Sequence, residues 1–501
     1  MKNKFYITTP IYYVNDNPHI GHAYTTILAD VFARYHRAAG EDVFFLTGLD
    51  EHGQKVQQAA EKRKMLPQAH CDDLAPRFLK LWENLEIRND DFIRTTETRH
   101  TEVVQKALQK VYDAGDIYAD EYEGWYSVAE ERFITGTEMK SGQFREVKKI
   151  KEKNWFFRMG KYQPALQDHL KKHPDFIRPA HRRNEVLGFL RQPLGDLCIS
   201  RPKSRMDWGI ELPFDKDYVT YVWFDALLNY VTAPGYGSDE VKFKTWWPAS
   251  LHLIGKDILT THAVYWSTML FALGLPLPEI IFAHGWWMTQ QTKMSKSLGN
   301  IVNPLDLIDR YGVDAVRYYL MREMVLGQDA DFTVESFIKR YNSDLANDFG
   351  NLLNRVSGLI GKHFKGQIPI PQREGDQERA VRELSVLTCE NVRKRIHELH
   401  INEAIEQTLQ LVRFVNKYLE QAAPWKVAKA DLDSAGAILY TATEALRISA
   451  VLLSPVMPAK TQQVLKILGS EKSSEAWGQL RPGTVLPSHE ALFPRLEVPS
   501  A

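Results

Sequence analysis

A chain of 501 residues is too long for one ordinary domain and predicts roughly two to four. Hydrophobic residues at 44% and charged residues at 25% allow a large globular core. The 63 basic and 63 acidic residues cancel, so any nucleic-acid partner must be held by local patches rather than by a global field. Cys71, Cys198 and Cys389 are odd in number and far apart, which argues against a disulfide framework and a C-x-x-C metal site. No apolar leader opens the chain and no uninterrupted apolar run reaches membrane-spanning length, so a soluble, cytoplasmic protein without a membrane partner is expected.

In chain order, residues 5–10 predict a strand. Residues 20–39 predict a helix, with Ile27, Leu28, Val31, Phe32 and Tyr35 at helical spacing and Gly40 as its stop. "DVFFLTG" (42–48) predicts a buried strand of the parallel kind, which completes a β-α-β unit. Helices follow to about residue 115. From 116 to 217 the chain changes character: aromatics, charges and turn residues crowd together as in a small irregular β module. Strand–helix alternation resumes at "YVTYVWFDALLNYV" (218–231), with "LHLIGKDI" and "EIIFAHG" as further buried strands. After about 345 the periodicity is helical, through "LANDFGNLLNRVSGLIGKHF", "AIEQTLQLVRFVNKYLEQ" and "AGAILYTATEALRISAVLL". The expected architecture is α/β: a Rossmann-like parallel sheet over 1–115 and 218–290, interrupted by a connective insertion at 116–217. A loop and connecting region at 291–345 and an all-α bundle over 346–501 complete it.

"NDNPHIGH" (15–22) lies where the first strand becomes a helix. Ligands of open parallel sheets sit there, beside helix N-termini. Gly21 allows close approach of a ligand, and the imidazoles of His19 and His22 offer hydrogen bonds to phosphate oxygens. The chain has neither GxxxxGK[ST] nor GxGxxG, so a nucleotide would not be held by a P-loop. Taken alone, the same residues also fit a helix-start histidine pair or two ligands of a metal ion. "TKMSKSLGN" (292–300) places Lys293 and Lys296 in a loop, as a cationic clamp suited to the charge on a departing pyrophosphate or as a plain solvated basic loop. In this order, the two stretches resemble the paired signatures of class I aminoacyl-tRNA synthetases.

"TTPIYYVNDNPHIGH", "FLTGLDEHG", "YVWFDALLNY", "HLIGKDI", "FAHGWWM" and "NDFGNLLNR" narrow the resemblance to the methionyl-tRNA synthetase family over nearly the whole chain. The resemblance implies that His19, Gly21, His22, Gly255, Asp257, Lys293 and Lys296 bind ATP, with Mg²⁺ accompanying it. His19, His22, Lys293 and Lys296 would stabilise the transition state. It implies a methionine pocket of Ile11, Tyr13, Asp50, Trp223, Ala226, Tyr230 and His284. Methionine is unbranched and polarizable and packs well on aromatic rings such as Tyr13 and Trp223. Its thioether accepts weak hydrogen bonds, which Tyr230 or His284 would offer, and Asp50 would pair with the α-ammonium. Core packing is the favoured reading of Trp223 or Tyr230 taken singly. It does not account for Asp50, because a lone buried carboxylate is expensive.

The same resemblance assigns the anticodon of tRNA(Met), initiator included, to Asn351, Arg355 and Trp425. Asn351 and Arg355 share a helix face, and Trp425 follows Pro424 at a helix start. An aromatic plane with amide and guanidinium donors suits unstacked bases; core packing is the other reading of Trp425. Arg178, Arg182 and Arg183 fit either the acceptor stem or a solvated basic face. The chain departs from the family in its insertion. "GWYSVAEERF" has Ser127 and Glu130 where zinc-knuckle cysteines would stand, so no structural zinc is expected. Trp125, Tyr126, Phe133, Trp155, Phe156 and Phe157 are the candidates for a replacement core. The chain ends at "LFPRLEVPSA", without the family's appended dimerisation barrel, and a monomer is expected. The leucine, isoleucine and valine enzymes would need a larger editing insertion, and the cysteine enzyme a zinc thiolate site. A small H-x-G-H nucleotidyltransferase would leave the helical third unexplained, and a non-catalytic tRNA-binding paralogue would not need both signatures.

Overall fold

The apolar residues 5–10 predict a short strand ending at Pro10. In the computed structural model, which describes residues 3–127, 132–134, 139, 147–289, 292–293, 302–470 and 474–497, β1 instead spans Lys4–Tyr13. Its ladder to the next strand slips between Thr8 and Ile11, and this irregularity accommodates a proline that cannot donate to a ladder. The strand therefore carries Ile11 and Tyr13 as well. Five more strands join it: β2 (Asp42–Asp50), β3 (Asp91–Arg94), β4 (Ile177–Arg178), β5 (Leu251–Gly255) and β6 (Ile280–His284). The sheet order is β3-β2-β1-β5-β6-β4, and every pairing is parallel. The order reverses between β1 and β5, the topological switch point of a Rossmann-like sheet. Gly48 of β2 is required by packing: a Cβ there would lie 2.1 Å from the Ile93 carbonyl oxygen of β3.

The chain packs as two compact units, one of Met1–Pro18, Glu41–Glu83 and Ile87–His284, the other of His19–Gly40, Asn84–Glu86 and Gly285–Ala501. The first holds the six-stranded sheet. Its segment 116–217 contains a long hairpin, Ile117–Ser127 against Val147–Phe157, and also encloses β4, which belongs to the main sheet. A two-residue strand has no sequence period by which to find it. The aromatics expected to form one replacement core divide. Trp155 packs on Tyr112 and Phe214, and Phe157 on Tyr162 and Phe224. Trp125 pairs with Lys149 toward the other end of the hairpin, roughly 20 Å along at ~3.3 Å per residue. The side chains of Tyr126, Ser127, Glu130 and Phe133 lie outside the described residues.

The second unit is helical. It contains the Asn351–Phe364, Asp376–His397, Ile401–Ala422, Leu432–Leu453 and Pro458–Ile467 helices. Leu432–Leu453 is long and apolar enough to cross a membrane by length and composition, but it is the buried central helix of the bundle. It also carries an ion pair, Arg447 Nη2 to Glu444 Oε1 at 2.8 Å, with both residues fully buried.

The Ile20–Ala38 helix, which sequence order places in the α/β domain, packs within the second unit. Buried ions account for this. Arg317 donates to Asp30 Oδ2 at 2.6 Å and to the carbonyls of Val456, Leu85 and Pro455 at 3.0, 2.9 and 2.9 Å. Asp30 also receives Arg34 at 2.7 Å, and the Tyr35 hydroxyl donates to the Leu452 carbonyl at 2.7 Å. Arg317→Met should cost about 3–5 kcal/mol of stability, since three buried carbonyls lose a donor and the Asp30 carboxylate is left with Arg34 alone. Arg317→Lys should recover little, because one ammonium cannot span the positions a guanidinium fork reaches. Urea-denaturation midpoints of the two variants measure this.

Candidate active site

Parallel register aligns the carboxyl ends of the central strands. Tyr13 of β1 sits opposite Asp50 of β2, and Gly255 of β5 opposite His284 of β6. Tyr13 is half-buried under the Lys55 ammonium, 5.8 Å from its ring centroid, and Asp50 and His284 are buried. A Cβ at Gly255 would lie 2.6 Å from Asp257 Oδ1, so only glycine leaves that carboxylate in place.

The turn after β2, Asp50-Glu51-His52-Gly53, is fixed at every residue. Glu51 is buried and accepts Arg94 Nε at 2.7 Å and the Thr96 hydroxyl. Burial raises its carboxyl above the ordinary range against the pull of Arg94 and Thr96. The Glu51 carbonyl accepts Trp208 Nε1 at 2.5 Å, and the Gly53 N–H donates to the Trp208 carbonyl at 3.2 Å. His52 Nδ1 meets Asp225 Oδ2 at 2.7 Å. Asp225, fully buried, also meets His100 Nε2 at 2.8 Å. Burial alone would raise its carboxyl, but His52 and His100 outweigh it and hold it at about 2.

Asp225 lies on the Val222–Ala226 helix, which is followed by Asn229–Thr232. Trp223, Ala226 and Tyr230 fall on one helical face, and Asp225 and Thr232 on another. Trp223 is half-buried; Ala226 and Tyr230 are buried. The Tyr230 hydroxyl meets His262 Nε2 at 2.8 Å, while His262 Nδ1 meets the Ile258 carbonyl at 3.0 Å. A carbonyl only accepts, so His262 carries its proton on Nδ1, and Tyr230 donates to Nε2. Burial lowers His262 to about 4, which keeps it neutral. One expectation is thereby corrected: the Tyr230 hydroxyl proton is committed to His262 rather than offered to a thioether. His252 also lies against Tyr230, with ring centroids 4.3 Å apart, while His284 ends β6 next to Gly255.

In the second unit, His19 and His22 form a capping box at the start of the Ile20–Ala38 helix. His19 Nδ1 accepts the Gly21 N–H at 3.1 Å, and His22 Nδ1 accepts the His19 N–H at 3.2 Å. The rings stack 3.8 Å apart. Loss of water around its ring, then the adjacent His19, push His22 well below its ordinary value. With each Nδ1 accepting, the ring proton of a neutral imidazole sits on Nε2, so each histidine presents a donor away from the backbone. A Cβ at Gly21 would lie 2.9 Å from His19 Cε1, so any other residue there would push that ring aside. Thr292–Lys293 pairs with Trp287–Thr289, but the Lys293 side chain and all of Lys296 lie outside the described residues. Among the described residues no group of three or more His, Cys, Asp or Glu is placed to hold a metal ion.

Arg355 Nη1 donates to the Asn416 carbonyl and Oδ1 at 3.1 and 3.2 Å and lies 3.7 Å from Glu420. Asn416 and Glu420 belong to the Ile401–Ala422 helix, and Trp425 follows it after Ala423, which turns the chain at φ 43°. Asn351 and Trp425 are both half-buried. Arg178, Arg182 and Arg183 are each engaged locally, by Asp175, Glu185 and the Leu170 carbonyl. Sequence reasoning missed His52, His100, His262 and Asp225. The one available signal was polar residues inside apolar helical runs, such as His262 in "ILTTHAVYW".

Residues 5–143 and 139–357 match the family described as tRNA synthetases class I (M), and residues 368–497 match the anticodon binding domain of methionyl tRNA ligase. The chain is 46% identical to the methionine–tRNA ligase of Bacillus subtilis, over 99% of this chain and 78% of that one. It is 46% identical to that of Streptomyces coelicolor, over 98% and 97%. The Mycobacterium tuberculosis methionyl-tRNA synthetase solved in complex with methionyl-adenylate superposes with a TM-score of 0.94 at 40% identity, covering 98% of this chain and 100% of that one. With a Rossmann-like sheet, a histidine-capped helix and matches from end to end, the chain belongs to the methionyl-tRNA synthetase family of class I aminoacyl-tRNA synthetases.

Proposed function

We infer that this chain is a methionine–tRNA ligase that works in two steps. A methionine carboxylate oxygen attacks the α-phosphorus of ATP, the bond to the bridging oxygen breaks, and pyrophosphate leaves with the electron pair. The terminal ribose hydroxyl of tRNA(Met) then attacks the methionyl carbonyl, and AMP departs. The relative solved with methionyl-adenylate is the observation that carries this reading. Neither step needs a nucleophilic side chain; positioning and charge stabilisation suffice.

In this reading Asp50 pairs with the α-ammonium, while Ile11, Tyr13, Trp223, Ala226 and Tyr230 line the path of the side chain. His262 orients Tyr230. His284, Gly255 and Asp257 belong to the nucleotide end, since register joins Gly255 to His284. The Nε2 donors of His19 and His22 meet phosphate oxygens, and Lys293 and Lys296 meet the charge developing on pyrophosphate. Mg²⁺ enters with ATP as part of the substrate. Asn351, Arg355 and Trp425 read the anticodon of initiator and elongator tRNA(Met). The same proposal includes a cytoplasmic monomer whose insertion holds no zinc; light scattering and metal analysis of the purified chain test those parts.

The capping geometry separates two roles of His22. In His22→Asn, Oδ1 replaces the accepting Nδ1, so the melting temperature should stay within a few degrees. The Nε2 donor is lost, and the rate of methionine-dependent ATP–pyrophosphate exchange should fall ~10²-fold or more, as when one oxyanion donor is removed. An unchanged rate would remove His22 from the chemistry. Lys296→Ala should lower adenylation by a similar ~10²–10³-fold with little change in methionine affinity, because the charge it meets exists only in the transition state. Trp425→Ala should weaken tRNA binding by about 1–3 kcal/mol, the range of base stacking, and leave exchange intact. Equal losses in both assays would mark a core tryptophan.

A further inference from the structure

The Val222–Ala226 helix has five residues and no side-chain cap bond. So short a helix has no orientation of its own; tertiary ties must supply it. Phe224 packs on Phe157, and the polar tie is one carboxylate. Asp225 Oδ2 meets His52 Nδ1 at 2.7 Å and Oδ1 meets His100 Nε2 at 2.8 Å, distances typical of charge-assisted hydrogen bonds. All three residues are buried. His52 stands two residues beyond Asp50, in the turn that Arg94, Thr96 and Trp208 already immobilise. The His52 ring also lies 5.3 Å from that of Trp208. On the far side, His100 Nδ1 meets the Thr232 hydroxyl at 3.3 Å, which itself donates to the Leu228 carbonyl at 2.8 Å. The tie thus holds the first helix at Asp225 and the second at Thr232, two residues past Tyr230.

We propose that Asp225, with His52 and His100, is a positioning group that fixes the spacing between Asp50 and the Trp223–Ala226–Tyr230 face, and so gauges the length of the amino-acid side chain accepted. The inference rests on Asp50 and Trp223 being the two ends of a methionine pocket. An amino acid held at its ammonium by Asp50 must place its side-chain terminus at a set distance, and that distance is only as definite as the join between turn and helix. A carboxylate held on two sides by imidazoles admits little rotation. An amide in its place would present a donor to one of two ring nitrogens that now meet an acceptor, and the helix would settle into more than one position.

Exchange kinetics of the full chain test this with methionine, ethionine and norleucine. In Asp225→Asn the methionine KM should rise roughly ten- to a hundred-fold, the worth of a hydrogen bond to a charged group. The ATP KM should hold, kcat should change far less than the methionine KM, and the preference for methionine over its two analogues should narrow. His52→Asn, whose amide N–H takes the place of Nδ1–H, should keep the methionine KM within about threefold, whereas His52→Ala should behave like Asp225→Asn. This pair reads the same join if Asp225→Asn fails to fold. An unchanged methionine KM and preference in Asp225→Asn and His52→Ala overturns the proposal. So does a rise of ATP KM together with a fall of kcat and melting temperature in both variants, which would mark a general structural role. A wild-type chain that exchanges no faster with methionine than with other amino acids instead overturns the underlying reading of the pocket, before any variant is compared.

Discussion

A parallel ladder decides which strand ends coincide as well as which strands are neighbours. In this sheet the register of β1 on β2 and of β5 on β6 brings Tyr13 opposite Asp50 and Gly255 opposite His284. Every group of the first unit with a proposed role on substrate is carried by one of these ends or by the short helices that follow the insertion. A slip of one residue in either ladder would exchange the face of each side chain. Close packing also seats β3 on β2: Gly48 lies against the Ile93 carbonyl with no room for a Cβ. Pro10 is absorbed by an irregularity inside the same ladder, so β1 can run on to the residues that matter.

Buried ions do the remaining positioning, and they do it with more than one partner each. Asp225 has two imidazoles, Glu51 an arginine and a threonine hydroxyl, Arg317 a carboxylate and three carbonyls. A buried charge with full partners contributes little net stability, since desolvation offsets most of the attraction. It does restrict geometry, because each alternative arrangement leaves a charge unpaired. Such groups hold an element in one orientation: Glu51 the turn after β2, Asp225 the short Val222–Ala226 helix and Arg317 the Ile20–Ala38 helix.

The two histidines at the helix start show one residue type serving structure and chemistry together. Nδ1 closes the capping box, and closing it forces the ring proton onto Nε2. Asparagine or serine would cap as well but would present no donor on the far side of the ring. Gly21 between them has no side chain because His19 occupies the space.

The sequence by itself determined the α/β class, the interrupted sheet and the helical C-terminal third, because these rest on local periodicity and on residues adjacent in the chain. "NDNPHIGH" and "TKMSKSLGN" are legible without a structure for the same reason. What only the tertiary structure decided was long-range. Tyr230 meets His262, Asp225 joins His52 to His100 across 173 and 125 residues of chain, and Asp30 of the Ile20–Ala38 helix meets Arg317 across 287 residues. None of these has a sequence period. A buried hydrogen bond between distant residues is selected by the shape of a finished core, and its partners are single polar residues that read, one at a time, as ordinary members of an apolar helix.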